Sequence, residues 1–211
     1  MIRSLSHQDR EIHLTDLKEA SEKLMTPIGF DIQYAREENF VQQKVYPSED
    51  AFLLSHVAED LIRAHHELVP RGYGLLIFDG YRPWSVTKLF WDVSNEQVRQ
   101  FLADPEKGST HNRGCAVDLS LYSIKTGRAV QMPSGFDEMN EKAYANYPGG
   151  DAKERANRDL LISAMEKNRF KVLKNEWWHF NHESQLDWPI LDFKFEEILQ
   201  APKIPHPLPM K

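Results

Sequence analysis

The stretch Ser109-Thr110-His111-Asn112-Arg113-Gly114-Cys115-Ala116-Val117-Asp118-Leu119-Ser120-Leu121 alternates in its second half. Cys115, Val117, Leu119 and Leu121 fall on one side, and Ala116, Asp118 and Ser120 on the other. A period of two marks a half-buried strand, so Asp118 is expected to point away from the apolar face. Lys125-Thr126-Gly127-Arg128 reads as a hairpin turn into a returning strand over 129–132. Upstream, Tyr73 to Asp79 is a short apolar run that stops at Gly80, which predicts a buried strand. Downstream, 170–173 and 176–181 read as a strand pair.

Between these strands the spacing turns helical. Leu53, Val57, Leu61 and Leu68 form an apolar stripe, with Ser48 as the expected N-cap and Pro70 and Gly72 as the stop. Ala156, Leu160, Leu161, Ala164 and Met165 mark a second helix over 152–168, and shorter ones are expected over 85–91 and 95–102. The apolar clusters at 28–32 and 40–41 read as strands or covering loops, and 133–150 as loop. Hairpins mixed with non-alternating helices predict an α+β fold with a mainly antiparallel central sheet and flanking helices. A single domain is expected over 1–211, its core at about 30–200 and a proline-rich extended tail at 202–211.

The net charge of −6 gives no basic stripe for nucleic acid. No apolar run approaches the length of a membrane span, and the first residues carry no apolar signal core. With a single cysteine, Cys115, no internal disulfide can form. A cytoplasmic protein is the simplest reading, or a periplasmic one if a signal peptide has been removed. Oligomeric state is not legible.

His111 and Asp118 stand seven residues apart, and 61 residues later comes His179, with Glu176 three positions before it. Two imidazoles and one carboxylate are three ligands, the number that leaves a catalytic zinc a fourth position for water. Glu176 is then a spare carboxylate able to act as base on that water. The competing reading is four unrelated polar residues among nine histidines and many acids. There is also a geometric demand. In an ideal strand Glu176 and His179 point to opposite faces, with Trp177 on the His179 side, so the chain must bend near Glu176. Cys115 is expected in the core, His65 and His66 at a solvent edge, Trp84 and Trp91 in the core, and His182 at the surface or against substrate.

The motif Ser109-x-His111-x-x-Gly114-x-Ala116-x-Asp118, followed by Glu176-Trp177-Trp178-His179, resembles the zinc D-alanyl-D-alanine dipeptidases of the vancomycin-resistance type. Phe78-Asp79-Gly80-Tyr81-Arg82-Pro83, Asp31-Ile32-Gln33-Tyr34-Ala35 with Asn39-Phe40, and Gly135-Phe136-Asp137 agree in order from about residue 30 to 182. The resemblance implies a hedgehog/D,D-peptidase-like fold and one Zn2+ per chain, bound by His111, Asp118 and His179. It implies Glu176 as catalytic base and acid, and Arg82 against the scissile carbonyl. Ser109, Asp137 and Tyr34 would line the pocket for a small D,D-dipeptide. The loop Met132-Pro133-Ser134-Gly135-Phe136-Asp137 departs from the family's Gly-Thr-x-Phe-Asp pattern, which bears on substrate preference. Related zinc D,D-carboxypeptidases, which trim longer peptidoglycan stem peptides, share the short elements. A zinc-binding interaction module without activity is a further alternative, against which Glu176 and Arg82 speak.

Overall fold

The computed structural model describes residues 2–205. In chain order its strands are β1 (Ile2–His7), β2 (Arg10–Asp16), β3 (Gly29–Phe30), β4 (Phe52–Leu54), β5 (Tyr73–Asp79), β6 (Ala116–Ser123), β7 (Phe170–Leu173), β8 (Glu176–His182) and β9 (Lys203–Ile204). The α-helices are α1 (Leu17–Ser21), α2 (Ser55–Leu68), α3 (Trp84–Val93), α4 (Glu96–Arg99), α5 (Ala152–Lys167) and α6 (Phe195–Gln200). One sheet has the order β3-β5-β6-β8-β7 and is antiparallel except for β3, which pairs parallel to β5. The other is β4-β2-β1-β9, antiparallel throughout. This is the expected α+β architecture with flanking helices.

The alternation that predicted β6 holds. Cys115, Val117, Leu119 and Leu121 are fully buried in the core, and Asp118 leaves the strand on the opposite side. Burial pushes the Cys115 thiol up to about 12, as befits a core residue. β5 also matches its expected bounds, while the returning strand after the 125–128 turn shrinks to a single bridge, Tyr122 to Ala129.

The N-terminal sheet was not expected. β1 and β2 form a hairpin whose turn residues, Gln8 and Asp9, take φ of 47° and 65°. Hairpin signals rest on Asn-Gly or Asp-Gly at such turns, and Gln-Asp carries no such mark. The long helix also starts later than its stripe implied. Phe52, Leu53 and Leu54 are buried on both faces and pair with Asp16, Thr15 and Leu14 as β4, so α2 begins at Ser55 and Ser48 caps nothing. In α5, capped by Asp151 and Glu154 in a reciprocal box, Leu161, Ala164 and Met165 are buried as expected. Ala156 is exposed, and Asn157 and Arg158 are buried instead. The first part of the proline-rich tail lies along β1 as β9, and positions 206–211 lie outside the described residues. Among the described residues no helix is long and apolar enough to cross a membrane.

Candidate active site

Register, not sequence distance, assembles the site. Asp118 on β6 is the direct cross-strand partner of His179 on β8 and of Asp79 on β5. Directly opposed residues have Cβ atoms about 4.5–5.5 Å apart, so three neighbouring strands lay Asp79, Asp118 and His179 in one row. His111 arrives from a short 3-10 turn, His111–Arg113, just before β6. That turn ends at Gly114, whose φ of 66° is a left-handed conformation suited to glycine.

His111 Nε2, His179 Nδ1 and the Asp118 carboxylate lie within 4.8 Å of one another, all buried. His111 Nε2 is 3.0 Å from His179 Nδ1 and 3.3 Å from Asp118 Oδ2, and His179 Nδ1 is 2.9 Å from Asp118 Oδ1. The outer ring nitrogens face acceptors: His111 Nδ1 the Gly80 carbonyl at 2.7 Å, and His179 Nε2 the Asn181 Oδ1 at 2.9 Å. With the outer nitrogens donating, neutral rings turn two lone pairs and a carboxylate onto one point. Such a point is electrostatically incomplete without a cation, and this donor set of two imidazoles and a carboxylate suits zinc.

Around this centre the charges are strongly coupled. Burial alone would raise the Asp118 carboxyl, but His111 and His179 hold it well below the usual carboxylate range. Burial works against a charged His179, yet its hydrogen bond and charge contact with Asp118 raise it to about 9. A metal ion would take the place of that proton. Glu176 is pushed up to about 7, chiefly by burial, with Asp118 adding to the shift while His179 and Arg82 oppose it.

The bend demanded near Glu176 exists, in a different form from a turn before the strand. Val172 pairs with Phe180 and Leu173 with Glu176, so one step on β7 answers four on β8. This bulge breaks the alternation inside the strand. Glu176, Trp178, His179 and Asn181 consequently all line one cavity. Trp177, expected on the His179 face, lies off the cavity with its Nε1–H donating to Ser134 Oγ at 2.8 Å.

Arg82 also lines the cavity. Its Nε and Nη2 donate to Asp79 Oδ2 at 2.9 and 2.7 Å, and Nη2 lies 3.6 Å from Asp118 Oδ2. Asp79 is itself fixed by the Tyr46 hydroxyl at 2.8 Å and the Gly80 N–H. A Cβ on Gly80 would meet the Phe52 carbonyl at 2.7 Å, so this close approach requires glycine. Asn112, fully buried, donates to the Arg82 carbonyl and to Thr87 Oγ1, each at 2.8 Å, tying the arginine turn to the His111 turn.

Tyr34, Ser109 and Asp137 line the same cavity. The Tyr34 hydroxyl donates to Asp137 Oδ2 at 2.6 Å. Asp137 has a left-handed φ of 55°, and burial raises its carboxyl to about 8. All eight residues singled out in the sequence therefore border one cavity of about 310 Å³. Asp79, Asn112, Trp178 and Asn181 were given no role there. Asp79 and Asn112 stand inside the quoted motifs, three residues before Arg82 and next to His111, where a polar residue is a usable signal. Asn181 stands one residue beyond the quoted His179 motif.

Three expectations away from the centre change. His182 is fully buried, with Nε2 2.9 Å from Asp60 Oδ2 and Nδ1 2.8 Å from Ser184 Oγ, so it joins β8 to α2. His65 is buried and accepts the Leu75 N–H. Trp84 and Trp91 are only half-buried.

A family model described as D-Ala-D-Ala dipeptidase, of the M15 peptidases, matches residues 14–199. The chain belongs to this family of peptidases. The D-alanyl-D-alanine dipeptidase of Escherichia coli K12 is 30% identical over 168 residues, covering 80% of this chain and 86% of the relative. That of Enterococcus faecium is 32% identical over 177 residues, covering 75% and 88%. A solved LD-carboxypeptidase, LdcB, is similar at a TM-score of 0.43 and 18% identity, covering 82% of this chain and 76% of that one.

Proposed function

We propose that the chain forms a single zinc-dependent dipeptidase domain that hydrolyses D-alanyl-D-alanine. The observation that carries this reading is the convergence of His111, Asp118 and His179 on one point, with Glu176 and Arg82 beside it in the same small cavity. Small-molecule sites usually span about 300–1,000 Å³. A cavity at the lower end of that range suits a dipeptide better than a long stem peptide.

His111, Asp118 and His179 would hold one zinc ion. Zinc bound there supplies a Lewis acid and lowers the pKa of a water toward neutral. Glu176, buried and held near neutrality, takes a proton from the attacking water and returns it to the leaving amine. Arg82, fixed by Asp79, turns a rigid guanidinium toward the oxygen on which negative charge develops. Asp137, short of a counter-charge in its buried position, receives the substrate ammonium with Tyr34 beside it. Ser109 lines the remaining wall.

A panel of D,D, L,D and L,L dipeptides, together with a pentapeptide ending in D-Ala-D-Ala, tests the reading. Chelator-sensitive hydrolysis of free D-Ala-D-Ala, with the pentapeptide untouched, is expected. Preferential cleavage of the pentapeptide would indicate a carboxypeptidase, and stoichiometric zinc without hydrolysis of any D-containing dipeptide would indicate a binding module.

A further inference from the structure

The two imidazoles of the centre are anchored differently. His111 leans on a backbone carbonyl, that of Gly80, which no side-chain substitution removes. His179 leans on a side chain, Asn181, two residues along the same strand. Two residues apart on one strand, His179 and Asn181 share the cavity face by ordinary alternation, so the anchor is a near neighbour in the cavity wall.

An amide can serve His179 in two opposite ways. With Oδ1 toward the ring, Nε2 carries the proton and the Nδ1 lone pair is free for a cation. With Nδ2 toward the ring, Nε2 must accept, and the proton moves to Nδ1, 2.9 Å from Asp118 Oδ1, where it blocks the centre. We propose that Asn181 is a positioning residue that acts as an acceptor, holding the His179 ring with Nδ1 open to the metal. This inference rests on the reading of His111, Asp118 and His179 as a zinc site.

Outer partners of ligating histidines typically change metal affinity by about 10–100-fold. The test is zinc affinity of the metal-free protein, measured by chelator competition, for Asn181→Leu and Asn181→Asp. Leucine removes the acceptor; aspartate keeps an acceptor and abolishes the donor. Asn181→Leu is expected to bind zinc about 10–100-fold more weakly, while Asn181→Asp stays at least as tight as the unsubstituted protein. A purely structural residue would instead lower the melting temperature of the metal-free protein and leave zinc affinity unchanged.

Equal affinity in Asn181→Leu overturns the proposal, and so does an Asn181→Asp variant as weak as the leucine one. Should Asn181→Leu fail to fold, imidazole 1H–15N spectra of the zinc-loaded, unsubstituted protein decide. A protonated His179 Nε2 with zinc at Nδ1 supports the assignment, and zinc at Nε2 overturns it. A chain that binds no zinc at all overturns the metal reading itself, and that outcome is distinguishable from a failure of Asn181 alone.

Discussion

Glu176 Oε2 lies 3.9 Å from His179 Nδ1, although the two residues are three positions apart on one strand. The β8 bulge makes this contact, and it separates two tasks within one short motif. In the proposed mechanism His179 would serve the metal and Glu176 the proton. Glu176→Gln should therefore lower kcat by about 10²–10⁴-fold while one zinc per chain is retained. Metal analysis alongside steady-state kinetics checks both halves, and near-normal turnover would remove Glu176 from the mechanism.

The protonation of Glu176 sets a pH dependence. Its carboxyl is raised to about 7, so the acid form dominates below that value and the base form above it. A general base must be ionised, so kcat/KM should fall about tenfold per pH unit on the acid side of the limb. A pH–rate profile measured at saturating zinc reads this directly. A flat profile from pH 5 to about 7 would contradict the assignment.

Removing the metal should abolish hydrolysis, and adding zinc back should restore it. His111→Ala and His179→Ala are each expected to lose stoichiometric zinc, because each takes away one of only three ligands. Asp118→Ala should do the same and also leave Arg82 with a single close carboxylate, Asp79.

Arg82 and Asp79 form a linked pair. Arg82→Ala is expected to lower kcat by about 10²–10³-fold, in line with removal of one oxyanion donor. Asp79→Asn should act in the same direction but more weakly. It leaves the guanidinium present and loosens its aim, so kcat falls more than KM changes. A double variant no slower than Arg82→Ala alone would show that Asp79 acts through the arginine.

Away from the cavity, Asp60 is buried and meets His182, Arg63 and Arg169. Asp60→Leu leaves the fully buried His182 Nε2–H without its acceptor and should destabilise the protein by about 1–3 kcal/mol. Denaturant unfolding of the metal-free protein measures this.

The central sheet was legible because β5, β6, β7 and β8 announce themselves by period, length and flanking breakers. So was the grouping of His111, Asp118 and His179, which fall in motifs with a clear donor count and meet in the fold. The β1–β2 hairpin escaped because Gln8 and Asp9 adopt left-handed backbone without glycine. β4 escaped because Leu53 and Leu54 merge with the helical stripe that follows them, and only pairing with Leu14 and Thr15 separates the two. Parity arithmetic on β8 foresaw a distortion but not its kind, because a bulge is defined against a partner strand. His182 could not be placed for the same reason: its acceptor, Asp60, lies 122 residues away on α2.

The irregular pairing of β7 with β8 has a consequence for how this sheet can change. With Glu176 and His179 kept three residues apart, a regular ladder in place of the bulge would carry them to opposite sides of the sheet. Stability of the pairing and competence of the centre thus pull against each other at this spot. A screen that rewards only a well-folded sheet would discard the very miscount on which the chemistry depends.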